Sequence, residues 1–233
     1  DVALDAGVGV NPGNAVGWGA AFFDIDNDGW QDLYLATTGM PPGPPSQYTG
    51  NAPDMEDFHH DFPDLLFKNN GDGTFTDIYE STGLESNVGS WEVQCADFNN
   101  DGFVDFLWQN SKQLWMNNGD LTFTGYSLPF SEGAIGDYNN DGFLDVQIGS
   151  KVWYNSGNPN KWLTVKLQGV ESNINGIGAR IEIYGAWGKQ IREIRSGEGF
   201  SHMSTLNAHF GIGNASAIDK VIVRWPSGTV DTI

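Results

Sequence analysis

The chain has 233 residues, enough for one large or two small domains, and carries 30 acidic against 11 basic side chains for a formal net charge of −19. That surplus argues against nucleic acid and anionic membrane surfaces as partners, because both would be repelled. No apolar run is long enough to span a bilayer, so no membrane insertion is expected, and with neither a leader segment nor an initiator Met a mature or trimmed chain is the expectation.

Thirty-one glycines, 13% aromatics and the lack of helical periodicity predict an all-β protein with many turns. In chain order, Asp1–Val8 align with the later stretch Asp77–Leu84, so the chain opens near the end of a repeat. A Trp-led strand, Trp18 to Phe23, then runs into the loop Asp24-Ile25-Asp26-Asn27-Asp28-Gly29-Trp30-Gln31-Asp32 and an apolar strand, Leu33-Tyr34-Leu35. An insertion over 37–63 follows, with Pro41-Pro42-Gly43-Pro44-Pro45 and an acidic stretch holding His59 and His60. The prolines demand an irregular or polyproline-like path. The histidine pair could serve a transition metal, although a solvated acidic loop is the simpler reading.

A hairpin comes next, Leu66 to Asp77, turning at Asn70-Gly71. The pattern then repeats. Trp91 leads a strand into Asp97-Phe98-Asn99-Asn100-Asp101-Gly102-Phe103-Val104-Asp105, followed by Phe106-Leu107-Trp108 and the hairpin Leu114 to Thr124. Cys95, the single cysteine, falls in that strand and is expected to be a small core residue without a disulfide. The third copy, 40 residues after the second, is Asp137-Tyr138-Asn139-Asn140-Asp141-Gly142-Phe143-Leu144-Asp145. It has Ser131 where Trp would stand, and its hairpin decays into Pro159.

Each loop reads D-x-[DN]-N-D-G-[WF]-x-D. Oxygen side chains at positions 1, 3 and 5 of a tight loop converge on one point, and glycine at position 6 permits the turn. An EF-hand closes with Glu at position 12 before a helix; here Asp closes at position 9 and a strand follows. Three copies with one carboxylate spacing favour calcium over acidic turns, because clustered carboxylates repel without a cation, and Mg²⁺ prefers to keep its waters. The predicted ligands are Asp24, Asp26, Asp28 and Asp32; Asp97, Asn99, Asp101 and Asp105; Asp137, Asn139, Asp141 and Asp145, with the carbonyls of Trp30, Phe103 and Phe143, for about three Ca²⁺ sites.

These loops, with their Asn-Asn-Gly-Asp hairpins, resemble the FG-GAP/VCBS family over roughly residues 1–157. The resemblance implies calcium-bearing propeller blades. Three loops are too few for a closed propeller, so the expectation is an incomplete β-propeller-like array. It would be capped by another part of the chain, by another chain, or by the rest of a larger propeller.

From about Lys161 alternating β-branched runs between glycine turns predict a small antiparallel β-sandwich over 158–233. Asn175-Gly-Ile-Gly-Ala-Arg180, Ser196-Gly-Glu-Gly-Phe200, His209-Phe-Gly-Ile-Gly213 and Arg224-Trp-Pro-Ser-Gly228 resemble the ASPIC/UnbV domain. That resemblance implies an extracellular setting more than an activity. Most basic residues lie here, Lys161, Lys166, Arg180, Lys189, Arg192, Arg195, Lys220 and Arg224, which suits docking on an acidic repeat domain, its own or a neighbour's, or a solvated face.

No catalytic set emerges, as G-x-S-x-G and H-E-x-x-H are absent and His202 and His209 have core or surface roles by default. The expected function is a secreted or cell-surface, non-enzymatic structural or adhesion module. Its partners would be another protein or copies of itself, joined into oligomers or filaments. A carbohydrate-binding or accessory module of a secreted enzyme, with glycans as ligand, is the alternative.

Overall fold

The computed structural model describes residues 2–9, 15–39, 64–84, 90–108, 112–131, 133–197 and 202–233. Three antiparallel meanders succeed one another. The first is β1 (Ala15–Phe23), β2 (Asp32–Gly39), β3 (Leu65–Asn69) and β4 (Phe75–Asp77). The second is β5 (Val93–Ala96), β6 (Asp105–Trp108), β7 (Gln113–Asn117) and β8 (Phe123–Ser127). The third has three strands, β9 (Ala134–Gly136), β10 (Asp145–Ile148) and β11 (Lys151–Trp153). Its hairpin does not return as a fourth strand, as the decayed sequence before Pro159 implied.

The meanders stack face to face, which side-chain alternation explains. In β6, Phe106 and Trp108 join a core with Phe23, Tyr34, Ala36 and Leu66 of the first meander. Leu107, between them in sequence, points the other way and packs with Ile135, Leu144 and Val146 of the third. All four residues of β6 are buried for this reason, whereas β2 alternates between buried and half-buried positions from Asp32 to Ala36. Burying side chains such as Phe106 stabilises the stack by about 1.5–3 kcal/mol each.

The N-terminal peptide confirms the alignment of Asp1–Val8 with Asp77–Leu84. The Phe75 N–H donates to the Ala6 carbonyl at 2.8 Å, just as the Phe123 N–H donates to the Thr82 carbonyl at 3.1 Å. A single helical turn, α1 (Val2–Asp5), stands where the 3-10 turn Tyr79–Ser81 stands one repeat later. The insertion begins later than its expected start at Thr37. Strand β2 runs on through Gly39, pairing Thr37, Thr38 and Gly39 with Gly17, Val16 and Ala15. Residues 40–63, with His59 and His60, lie outside the described residues. Cys95 is half-buried rather than buried, packed at the edge of the core where its strand borders a cavity.

The C-terminal part is a sandwich. Strand β12 (Lys161–Val165) pairs with β15 (Ala208–Gly213), and β13 (Arg180–Gly185), β14 (Gly188–Glu193), β16 (Lys220–Arg224) and β17 (Val230–Thr232) form the facing sheet in the order β14-β13-β16-β17. Ile181, Ile183, Phe210 and Val223 fill the space between, with Leu163 and Val165 packed on them. No helix among the described residues is long and apolar enough to cross a membrane.

Candidate metal centre

All three loops are built alike from the backbone up. Position 4 is Asn27, Asn100 or Asn140, at φ 58°, 58° and 59°, a left-handed conformation that Asn tolerates better than most residues. Position 6 is Gly29, Gly102 or Gly142, at φ 93°, 102° and 85°. Together they fold the chain so that successive N–H groups point inward at position 1. Asp24 accepts from the N–H groups of Asp28 and Gly29 at 3.1 and 2.9 Å. Asp97 accepts from Asp101 and Gly102 at 3.2 and 2.8 Å, and Asp137 from Asp141 and Gly142 at 3.1 and 2.9 Å.

The closing aspartate ties the loop to the far end of the hairpin strand after next, at Asn69, Asn117 or Asn155. One oxygen of Asp32, Asp105 and Asp145 accepts from the N–H of Ile25, Phe98 and Tyr138, at 2.8, 2.8 and 3.0 Å. The other accepts from the N–H of Asn69, Asn117 and Asn155, at 2.8, 2.9 and 2.8 Å. At position 7, Trp30, Phe103 and Phe143 donate their N–H to Asp28, Asp101 and Asp141 at 2.8, 2.9 and 2.9 Å. That bond holds each position 7 backbone beside its loop.

Among the described residues these carboxylates outnumber the cations that act on them, Arg192 on Asp24 and Asp97 and Lys68 on Asp26 and Asp28. Asp24, Asp32, Asp97 and Asp105 are at most 1% exposed. Burial pushes Asp24 up to about 6 and Asp32 and Asp97 up to about 7, and it raises Asp105 well above the usual carboxylate range. A buried carboxylate at neutral pH needs a cation or a proton. Asp24, Asp26 and Asp28 each bring an oxygen within 4.8 Å of the others, and Asp26 Oδ1 is buried with no hydrogen-bond partner. In the other loops Asn99 Nδ2 donates to Asp101 Oδ2 at 2.8 Å and Asn139 Nδ2 to Asp141 Oδ2 at 2.7 Å, so positions 3 and 5 converge there too. A compact set of hard oxygen donors fits Ca²⁺.

Residues outside the predicted ligand set string the loops together. Asn27 Nδ2 donates to the Gly102 carbonyl at 3.1 Å, and Asn100 Nδ2 to the Gly142 carbonyl at 2.9 Å. Asn117 Nδ2 reaches Ile25 O at 2.9 Å, and Asn155 Nδ2 reaches Phe98 O at 2.8 Å. The signal was present in the sequence, as these asparagines recur at the same register of each copy.

The C-terminal sandwich sits on the same three loops. A Cβ on Gly29, Gly102 or Gly142 would run into Lys189, Gln190 and Trp162 respectively. Arg180 donates to the Gly29 carbonyl at 3.0 Å, and Arg195 donates to the Phe22 carbonyl. Strand β15 meets the second loop most closely. Gly211 N–H donates to Asp97 Oδ2 at 3.1 Å, and Gly213 N–H donates to Asn100 O at 2.9 Å. His209 Nε2 lies 2.6 Å from Asn100 Oδ1. Burial, and then Arg192, pushes His209 down to about 4, so it is neutral at pH 7 and donates through Nε2. Between loops and sandwich lies a cavity of about 120 Å³ lined by Asp24, Asp97, Arg192 and His209. Arg180, Lys189, Arg192 and Arg195 therefore face the acidic repeats, Arg192 acting on both Asp97 and Asp24, whereas Arg224 and Lys220 stay within the sandwich on Glu182 and Tyr184.

Comparison with known proteins agrees with this layout. The FG-GAP-like repeat model matches residues 45–108, and the ASPIC and UnbV model matches residues 169–233. Cartilage acidic protein 1 of Xenopus tropicalis is 49% identical over 49 residues, which are 21% of this chain and 8% of that protein. The matched stretch is thus a small part of that relative. The chain carries FG-GAP-like repeat sequence followed by a C-terminal ASPIC and UnbV domain, similar in part to a cartilage acidic protein.

Proposed function

We propose that this chain is an extracellular, non-enzymatic structural or adhesion module whose repeats are stabilised by calcium at three loops. The observation that carries the reading is the threefold recurrence of one loop geometry, with a buried carboxylate in every loop: Asp24 and Asp32 in the first, Asp97 and Asp105 in the second and Asp145 in the third. Asp24, Asp26, Asp28 and Asp32 would hold one ion with the Trp30 carbonyl. Asp97, Asn99, Asp101 and Asp105 with Phe103, and Asp137, Asn139, Asp141 and Asp145 with Phe143, would hold the others. A bound ion supplies the charge that these carboxylates lack. The chain supplies the rest: backbone N–H groups orient each carboxylate, and the interloop asparagines carry order from one blade to the next.

Binding to the folded loops alone stabilises the fold by linkage. At ~10-fold excess over the dissociation constant each site adds about 1.4 kcal/mol, a sizeable share of a marginal domain's stability for three sites. Calorimetric titration of chelator-stripped protein tests this, with an expected stoichiometry of three Ca²⁺ per chain and a thermal midpoint that falls in EGTA. Absence of calcium binding with an unchanged midpoint refutes it.

Assembly of copies belongs to the same reading. Among the described residues strand β11 pairs on one side only, with β10, so the third blade offers an edge. Sedimentation velocity in calcium reads this directly: oligomers support it, and a monomer at every concentration overturns it. Glycan binding is the second reading, supported by exposed Tyr138, Trp153 and Tyr154 on the third blade. Trp91, Trp108 and Trp115 are buried and give it no support.

A further inference from the structure

Among the three loops the first differs in one side chain that is not part of the loop. Lys68, on β3, donates to Asp26 Oδ2, and to Asp28 Oδ2 at 2.8 Å. Both acceptors are predicted ligands. The residue at the same register in the second copy is Met116, one before Asn117, and in the third it is Tyr154, one before Asn155. Neither can supply a charge.

The difference at Lys68 matches a difference inside the loop. Position 3 is Asp26 in the first copy but Asn99 and Asn139 in the others. The first loop therefore holds four carboxylates against three in each of the others, and its extra charge is met by an ammonium that sits on two of the oxygens the ion would take. In the second and third loops a side-chain amide donates to the position 5 carboxylate, the contact that the Lys68 ammonium makes to Asp28 in the first. Among the described residues Lys68 is the cation ion-paired with this loop's carboxylates, while the Lys189 ammonium lies against Gly29. Arg192 acts on Asp24 and Asp97 alike, and Arg180 meets Gly29 through its carbonyl.

From this contact we infer that Lys68 is a tethered cation that competes with calcium for Asp26 and Asp28, making the first loop the weakest and most exchangeable of the three sites. The inference rests on the calcium reading above. A divalent ion entering the loop must either displace the ammonium or share two carboxylates with it. A like charge held within a few ångströms of the ion lowers affinity on the order of tenfold even at the screening of a surface site. The Asp26 oxygen left without a partner is the ligand still free to recruit the ion.

The test is a titration of stripped protein with calcium by calorimetry and with Tb³⁺ by tryptophan-sensitised luminescence. Trp30 sits at position 7 of the first loop, where the others carry Phe103 and Phe143. The signal lost in Trp30→Phe therefore reports the first loop, separating it from Trp162 beside the third. The native chain is expected to show two tighter sites and one weaker site, the weaker one silenced in Trp30→Phe. Lys68→Met should tighten that site about tenfold and leave the others unchanged. Lys68→Met with Asp26→Asn, which copies the second loop, should make all three sites alike. Equal sites in the native chain, or a first site that is unmoved or weakened by Lys68→Met, overturns the role given to Lys68. No ion bound by any variant, with circular dichroism unchanged, overturns instead the calcium reading beneath it.

Discussion

At the scale of single residues, the loops depend on asparagines as much as on aspartates. Asn100 is fully buried and holds three partners: Gly142 O, His209 and the N–H of Gly213. Asn140 has the same left-handed backbone but is exposed at the end of the array. Asn100→Ala should therefore cost about 3 kcal/mol, from the strained φ plus polar groups left buried without partners. Asn140→Ala should cost about 1 kcal/mol, from φ alone. Urea unfolding of both variants in calcium measures the gap, and equal losses would mean that the interloop bond contributes nothing. The loop aspartates were legible in the sequence because they recur at one spacing in three copies. The pinning asparagines repeat equally well, but their purpose lies in the neighbouring blade, and no local pattern says which carbonyl a side chain will reach. Lys68 was hidden for the same reason, being 40 residues from Asp28 along the chain.

At the scale of elements, the strands and hairpins follow from alternation and Asn-Gly turns, and the sequence placed them well. It could not reveal that β6 is covered on both faces, because stacking order is set by contacts distant in sequence. Phe106→Ala should cost about 3–5 kcal/mol, since the side chain is fully buried and stacks with Phe123 at a centroid distance of 4.8 Å. The docking of β15 on the second loop was half legible. Charge asymmetry suited docking on the acidic repeats as well as a solvated face, and it did not reveal that Gly211 lies against the second loop. A Cβ on Gly211 would lie 2.2 Å from Asp97 Oδ2 and 2.3 Å from the Asn100 backbone. Gly211→Ala should undock the sandwich, seen as protease cleavage between repeats and sandwich and as weaker calcium binding at the second loop. Gly197→Ala, where the space is open and φ is ordinary, is the control and should leave both unchanged.

At the scale of the whole molecule, the net charge of −19 and the buried loop carboxylates act together. Asp24, Asp32 and Asp97 have folded values near 6 to 7 against an ordinary 3.8, raised first of all by burial. In a metal-free chain the folded state therefore binds protons more tightly than the unfolded state. Their contribution is fully present below about pH 4 and is lost as pH rises through their folded values. Each such group steepens the loss by about 1.4 kcal/mol per pH unit within that window. The chain in EGTA should thus unfold at a progressively lower temperature between pH 5 and pH 8, the reverse of a protein held by ordinary ion-paired carboxylates. Calcium reverses the slope, because it binds the ionised form and competes with the same protons. Thermal midpoints measured across that range, with and without calcium, should diverge as pH rises. Parallel curves would mean that the loop carboxylates are neutralised within the chain itself, and the calcium sites would lose their physical basis.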